Sequence, residues 1–166
     1  MPALLAVSGY MEEAEELQRT WDWLWNRYGP EPMIYDYRKD SILNPQYDLN
    51  PEIIESAWYL WELTGEQRYM DMLQGYWEDL LEYCRTDVAF TALENVITKE
   101  KRDYMATYFL AETLKYFYLA FADQQMYTLK TTVFSTEAHP FLRSALDPER
   151  VNRHLGIASG IDRSGE

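Results

Sequence analysis

Cysteine, histidine, basic residues and long apolar runs are all scarce in this sequence, and each shortage closes off a class of chemistry. A single cysteine, Cys84, rules out an internal disulfide and any cysteine-based zinc cage. It falls at helical spacing among Leu80, Leu81 and Tyr83 and reads as buried filler. The two histidines, His139 and His154, are too far apart to make a local metal motif. No apolar run approaches the length that spans a bilayer. The opening Met1-Pro-Ala-Leu-Leu-Ala-Val-Ser has no basic flank, and its apolar run is too short for a signal peptide. Lysine and arginine number 15 against 28 acidic residues, a formal charge of -13 that repels phosphate backbones and excludes nucleic acid as a partner. No fixed-period repeat runs along the chain, which argues against a helical solenoid.

What is present suits one domain with a single core. Hydrophobic residues make up 47% of 166 positions, enough to build that core. Aromatic residues reach 16%, a level that fits a thick helical core or sugar-stacking surfaces.

Helical periodicity dominates. Met11 to Tyr28 has acidic residues in its first turns, where the helix dipole favours them, and then Leu17, Trp21, Leu24, Trp25 and Tyr28 at helical spacing. Gly29-Pro30 stops it. A long connection, Gly29 to Asn50, follows, and connections of that length are often functional. Asn50 reads as the N-cap of a second helix, with Pro51 at its first position and Glu52 at its second. The apolar residues Ile53, Ile54, Ala57, Trp58, Leu60 and Trp61 predict a helix buried on more than one side. A third helix is predicted from Gln67 to Cys84, running through Gly75. Val88 to Ile97 holds two β-like runs that suggest a small hairpin, and Asp103 to Phe121 is an apolar inner helix. Lys130 to Phe134 is a candidate edge strand. From Phe141 the pattern fades, and Gly156 to Glu166 reads as a frayed tail. Outer helices alternating with densely apolar inner ones predict an all-α chain, part of an (α/α) toroid.

Three short stretches carry chemistry. Thr136 and Glu137, in Val133-Phe-Ser-Thr-Glu-Ala-His-Pro140, offer a hydroxyl, a carbonyl and a carboxylate in two consecutive residues, the hard oxygens that calcium takes. Glu52 stands at a helix start, where free N–H groups and the dipole favour the ionised carboxylate. Glu112 stands in an apolar helix and needs a partner to be tolerated there; Lys115, at i+3, is one candidate.

Leu49-Asn-Pro-Glu-Ile-Ile-Glu-Ser56, Tyr108-Phe-Leu-Ala-Glu-Thr-Leu-Lys-Tyr116 and Phe134-Ser-Thr-Glu-Ala-His-Pro140 together resemble the C-terminal signatures of the class I α-1,2-mannosidases, glycoside hydrolase family 47. Pro-Glu-Pro-Met-Ile-Tyr-Asp-Tyr, from Pro30, resembles the loop before that family's catalytic helix. The resemblance runs from about Met11 to Pro140 and corresponds to the last third or so of a family member. It implies an arc of an (α/α)7 barrel over residues 1–140, with 141–166 as a partly disordered tail.

By the same resemblance, Glu52 is the general base of an inverting α-1,2-mannosidase and Thr136 binds catalytic calcium through both of its oxygens. Glu52, Glu55, Glu112 and Glu137 hold the calcium's water shell, and Tyr108 lies under the sugar ring. Asn50 stands where the family has a sugar-contacting arginine, and Tyr108 where it has phenylalanine. The implied partner is a mannose-containing oligosaccharide, and the implied compartment of the parent enzyme is the secretory pathway or periplasm. No segment matches the family's general acid, so the chain alone is expected to be inactive, to lack part of the barrel and to self-associate. A mannosidase-like lectin module and a ligand-free helical scaffold remain alternatives.

Overall fold

A computed structural model of the chain describes residues 1–124 and 126–156. They fall into two compact units, Met1–Met126 and Tyr127–Glu166. Residues 157–166, on which most of the frayed-tail expectation falls, lie outside the described residues.

The first unit is helical. A short helix that the periodicity did not announce, α1 (Pro2–Val7), precedes α2 (Met11–Tyr28), whose bounds are those read from sequence. Helix α2 carries Glu12 and Glu13 in its first turn and ends at Gly29, whose φ of 70° lies in the left-handed region. A side chain could not replace that glycine without disturbance: a Cβ there would stand 2.5 Å from the Lys99 ammonium and 3.1 Å from the Tyr83 ring.

The long connection after Gly29 is not structureless. It folds into an antiparallel hairpin, β1 (Ile34–Asp36) and β2 (Ser41–Asn44). The turn chemistry explains the hairpin: the Asp36 carboxylate accepts from the Arg38 and Lys39 amides, and Asp40 adopts a φ of 50°.

Helix α3 (Glu52–Thr64) is the centre of the unit. It buries Ile53, Ile54, Ser56, Ala57, Trp58 and Leu60, so several of its sides are covered, as its apolar spread predicts. It packs against α1, α2, α4 and α5 and closes on Gly65 at φ 71°, whose amide donates to the Trp61 carbonyl. Helix α4 (Gln67–Asp79) continues as a π turn over Leu80–Cys84, which buries Cys84 and pushes its thiol up to about 12.

The second hairpin differs from the expected one. Strand β3 (Ala92–Asn95) pairs with β4 (Glu100–Arg102), and Val96-Ile97-Thr98 forms the turn instead of a strand. Asn95 is the cause. Its side-chain oxygen accepts from the Ile97 and Thr98 amides and bends the chain before Val96 can extend. The helix expected from Asp103 begins later, as a π turn over Phe109–Thr113 that runs into α5 (Leu114–Phe121). Residues 103–106 are drawn instead onto β3, where the Ala92 amide donates to the Tyr104 carbonyl. Tyr116, Phe117, Leu119 and Ala120 are buried, while Leu110, Tyr118 and Phe121 stay exposed.

The second unit holds β5 (Thr132–Phe134) and β6 (Pro140–Leu142), paired in a hairpin, then a single 3-10 turn and α6 (Pro148–His154). Helix α6 is capped by Asp147, which accepts from the Glu149 and Arg150 amides. The fold is thus all-α and of the α/α toroid type, with three short hairpins among the described residues where one was expected.

Candidate functional site

Two elements of the first unit set out its carboxylates. The start of α3 is fixed by Leu49, which is fully buried yet adopts a φ of 64°. A left-handed, branched, buried residue is held at a cost of order 1–3 kcal/mol by what surrounds it. Here the surroundings are specific. The buried Thr113 hydroxyl, in the π turn, donates to the Leu49 carbonyl at 2.7 Å. The segment just before is zipped to β3 by reciprocal bonds between Tyr47 and Leu93, 3.0 and 2.9 Å, and Arg102 of β4 pairs with Asp48.

This turn changes the reading of Asn50. Pro51 is the N-cap and Glu52 the first helical residue, and no side chain caps the helix. The Asn50 side-chain oxygen accepts instead from the Tyr108 hydroxyl at 3.0 Å, and that hydroxyl also reaches the Asp48 carbonyl at 2.9 Å. The two positions at which the chain departs from the mannosidase signatures therefore touch each other. Burial, with the field of Asp48 added, pushes the Tyr108 phenol up to about 12, so it remains a donor at neutral pH.

Glu52 is exposed, and its carboxylate makes no hydrogen bond or ion pair among the described residues. Glu55, one turn on, is half-buried and accepts from the buried Tyr116 hydroxyl at 2.9 Å. Burial raises the Glu55 carboxyl above its ordinary range; the Tyr116 bond works against that rise and the neighbouring Glu52 adds to it. Glu112 sits in the π turn itself, a geometry that recurs at functional sites. Glu52 and Glu112 both act on the Tyr108 phenol, and Glu55 and Glu112 both act on Tyr116. Within the first unit Asn50 and Tyr108 thus meet directly, and Glu52, Glu55 and Glu112 are linked to them or to one another through the fields at Tyr108 and Tyr116.

One carboxyl of this group was missed as a site residue. Glu31, locked between Pro30 and Pro32, is 7% exposed, and its Oε2 has no partner among the described residues. Burial pushes its carboxyl well above the usual range, and the charge of Glu52 adds to the rise. The available signal was a charged residue between two prolines, whose fixed backbone leaves the side chain little freedom to escape.

Thr136 and Glu137 belong to the second unit. They form the tip of the β5–β6 hairpin, where the Ser135 amide donates to the His139 carbonyl and the Ala138 amide to the Ser135 carbonyl. Both are exposed. The hydroxyl and carbonyl of Thr136 make no hydrogen bond among the described residues, so both oxygens are available. Among the described residues no group of three or more His, Cys, Asp or Glu side chains could hold a metal ion unaided. A cation bound here would need a hydroxyl, carbonyls and waters, which is an oxygen set that suits calcium.

Residues 2–143 match glycosyl hydrolase family 47. A mannosyl-oligosaccharide 1,2-alpha-mannosidase of Caenorhabditis elegans is 40% identical over 157 residues, covering 84% of this chain and 27% of that protein. The human mannosyl-oligosaccharide 1,2-alpha-mannosidase IB is 38% identical over 144 residues, 79% of this chain and 22% of its own length. In three dimensions the chain resembles the alpha-1,2-mannosidase of Trichoderma reesei with a TM-score of 0.70 and 25% identity, over 84% of this chain and 35% of that one. The chain therefore spans about a quarter of the length of these curated relatives, and it belongs to glycosyl hydrolase family 47.

Proposed function

We propose that this chain supplies the general base and the calcium-binding side of an inverting α-1,2-mannosidase that removes terminal mannose from oligosaccharides, in the secretory pathway or periplasm. The observation that carries the reading is that Glu52 and Glu112 both act on Tyr108 and Glu55 and Glu112 on Tyr116, while the buried Glu31 feels the charge of Glu52. Glu52 is the base. It is exposed and has no hydrogen-bond or ion-pair partner among the described residues, so a water can reach its carboxylate, and it takes the proton from that water as the oxygen attacks the anomeric carbon. Tyr108 offers an aromatic face to the sugar, and Asn50 a neutral amide to a hydroxyl. Glu55, fixed by Tyr116, and Glu112 accept hydrogen bonds from waters or sugar hydroxyls, as does Glu137.

The implied calcium fits the residues present at the hairpin tip, where both Thr136 oxygens lack a hydrogen-bond partner among the described residues. Thr136 would hold the ion, and the ion would supply a cationic anchor for the mannose 2- and 3-hydroxyls. Hydrolysis takes a second carboxyl group as general acid, and that role is assigned to the part of the relatives that this chain does not span. Calcium titration of the chain by calorimetry tests the reading. Saturable binding that is lost in Thr136→Val is expected, and no binding would leave the chain a helical scaffold.

A further inference from the structure

The C-terminal half of α2 and the β1–β2 hairpin carry a group of side chains that the carboxylate site does not use. Trp23 is 51% exposed and meets Tyr35 edge-on, with ring centroids 6.4 Å apart; Tyr28 tilts against Tyr35 at 6.2 Å. The Arg27 guanidinium lies 5.2 Å from the centroids of both Trp23 and Tyr28. It forks onto the Asp40 carboxylate at 2.6 and 3.1 Å, and one of its nitrogens also donates to the Tyr35 hydroxyl at 3.0 Å. The Tyr35 hydroxyl donates in turn to Asp40, whose side chain remains 63% exposed.

These contacts hold the group in one arrangement before anything binds. Guanidinium forks and aromatic stacking fix Arg27 at both ends, and the turn that presents Asp40 is fixed by the Asp36 carboxylate. Preorganisation of this kind lowers the entropic cost of binding. Keeping Trp23 exposed forfeits burial, and exposed aromatic patches rimmed by polar groups mark interaction sites. The charges indicate what the patch recognises. Arg27 pairs with Asp40 and Lys39 lies 3.7 Å from Asp36, so of the turn's cations only Arg38 has no ion pair among the described residues, and the chain's net charge of -13 repels anions. A neutral ligand with an apolar face for a ring and hydroxyls for the outward donors and acceptors is a carbohydrate.

We infer that Trp23, Tyr35, Arg27 and Asp40 form a surface platform for a neutral oligosaccharide, separate from the carboxylate site. The platform chemistry stands without the proposed function; the choice of a mannose chain as probe rests on that function. The same connection, 29–51, carries both the hairpin and Glu31 and leads into Glu52. One segment thereby bears the platform and one flank of the carboxylate cluster.

The test uses the 166-residue chain, labelled with nitrogen-15 and titrated with an α-linked mannopentaose and, separately, with a heparin pentasaccharide as a charged probe. The expected result is a saturable shift of the Trp23 indole N–H with mannopentaose and none with heparin. Trp23→Ala and Arg27→Met should each weaken binding about tenfold or more with the circular dichroism unchanged. Retention of full binding in Trp23→Ala and Arg27→Met would place the sugar away from these residues and overturn the platform. So would the absence of a saturable shift at millimolar oligosaccharide, a stronger response to heparin, or a Trp23 shift that follows protein concentration alone, which would make the patch a contact between copies.

Discussion

The start of α3 and the tip of the β5–β6 hairpin are built on the same device and finished in opposite ways. Each turns on a fully buried residue in the left-handed region, Leu49 at φ 64° and Ala138 at φ 54°. At α3 the turn is followed by groups already committed to protein partners: Thr113 to the Leu49 carbonyl, Tyr108 to Asn50 and Tyr116 to Glu55. At the hairpin tip the Ser135 and Ala138 amides are bonded within the turn, but both Thr136 oxygens lack a partner among the described residues and Glu137 is exposed. A carboxylate that must meet a water at one angle gains from a fixed frame. An oxygen meant for a hard cation gains from having no protein partner to displace, since desolvating a bonded group costs affinity.

The largest effect expected from this contrast lies at Glu52. With this chain in place of the matching segment of a full-length relative, Glu52→Gln should lower turnover by roughly 10²–10⁴-fold, the usual worth of a general base. Mannose binding should persist. Steady-state kinetics and a binding isotherm check both, and near-normal turnover would move the base elsewhere.

The frame itself is tested by Thr113→Val, which keeps the shape of the side chain and removes its donor. The buried Leu49 carbonyl is then left without its partner, which costs about 1–3 kcal/mol. Urea unfolding should show a lower midpoint, and the strained Leu49 turn should relax. An unchanged midpoint would mean that the surroundings, not the hydroxyl, hold Leu49.

Glu31 sharpens the comparison through pH. Its folded carboxyl lies above the ordinary value of 4.5, so between the two values the folded chain binds more protons than the unfolded one. Its contribution is fully present below about pH 4.5 and is lost as pH rises toward the folded value. Each pH unit in that window costs at most about 1.4 kcal/mol. Glu31→Gln should therefore raise stability at neutral pH, with the gain vanishing in acid, as thermal melts across a pH series would show. A gain that persists in acid would point to packing instead of charge.

Much of this architecture was legible in the sequence, and the failures share a cause. The bounds of α2 follow from Glu12, Glu13 and Gly29, all local signals, and the many-sided burial of α3 follows from its own apolar spread. Asn50 misled because its oxygen is taken by Tyr108, 58 residues away, and a local capping rule cannot see such a partner. The π turns carry no period that distinguishes them from α-helix, so the conformation at Glu112 was invisible. Strands of three and four residues in β1–β2 are too short for alternation to register, and their turn rests on Asp36 and Asp40 instead of an Asn-Gly pair. The carboxylates of α3 and the π turn were found through motif resemblance, whereas Glu31 needed the structure, because burial of a charged side chain is settled by tertiary packing.

The smallest stability effect, and the sharpest test of the contrast, belongs to Thr136. Its side chain is exposed and makes no hydrogen bond among the described residues, so Thr136→Val removes only a hydroxyl that faces solvent. Substitutions of that kind change stability by no more than about 0.5 kcal/mol. The hairpin should also be unaffected, because its turn is closed by the Ser135 amide on the His139 carbonyl and the Ala138 amide on Ser135, neither of which involves the Thr136 side chain. Calcium affinity should fall sharply all the same, since one of the two proposed protein oxygens is gone and a methyl group stands in its place. Calorimetry with calcium and melting of the metal-free chain, run on the same preparation, separate the two readouts. A variant that melts early would mean that the tip hydroxyl serves the fold. Unchanged stability with unchanged calcium affinity would leave the Thr136 hydroxyl without a role at the metal, and the free oxygens at the tip would then need another explanation.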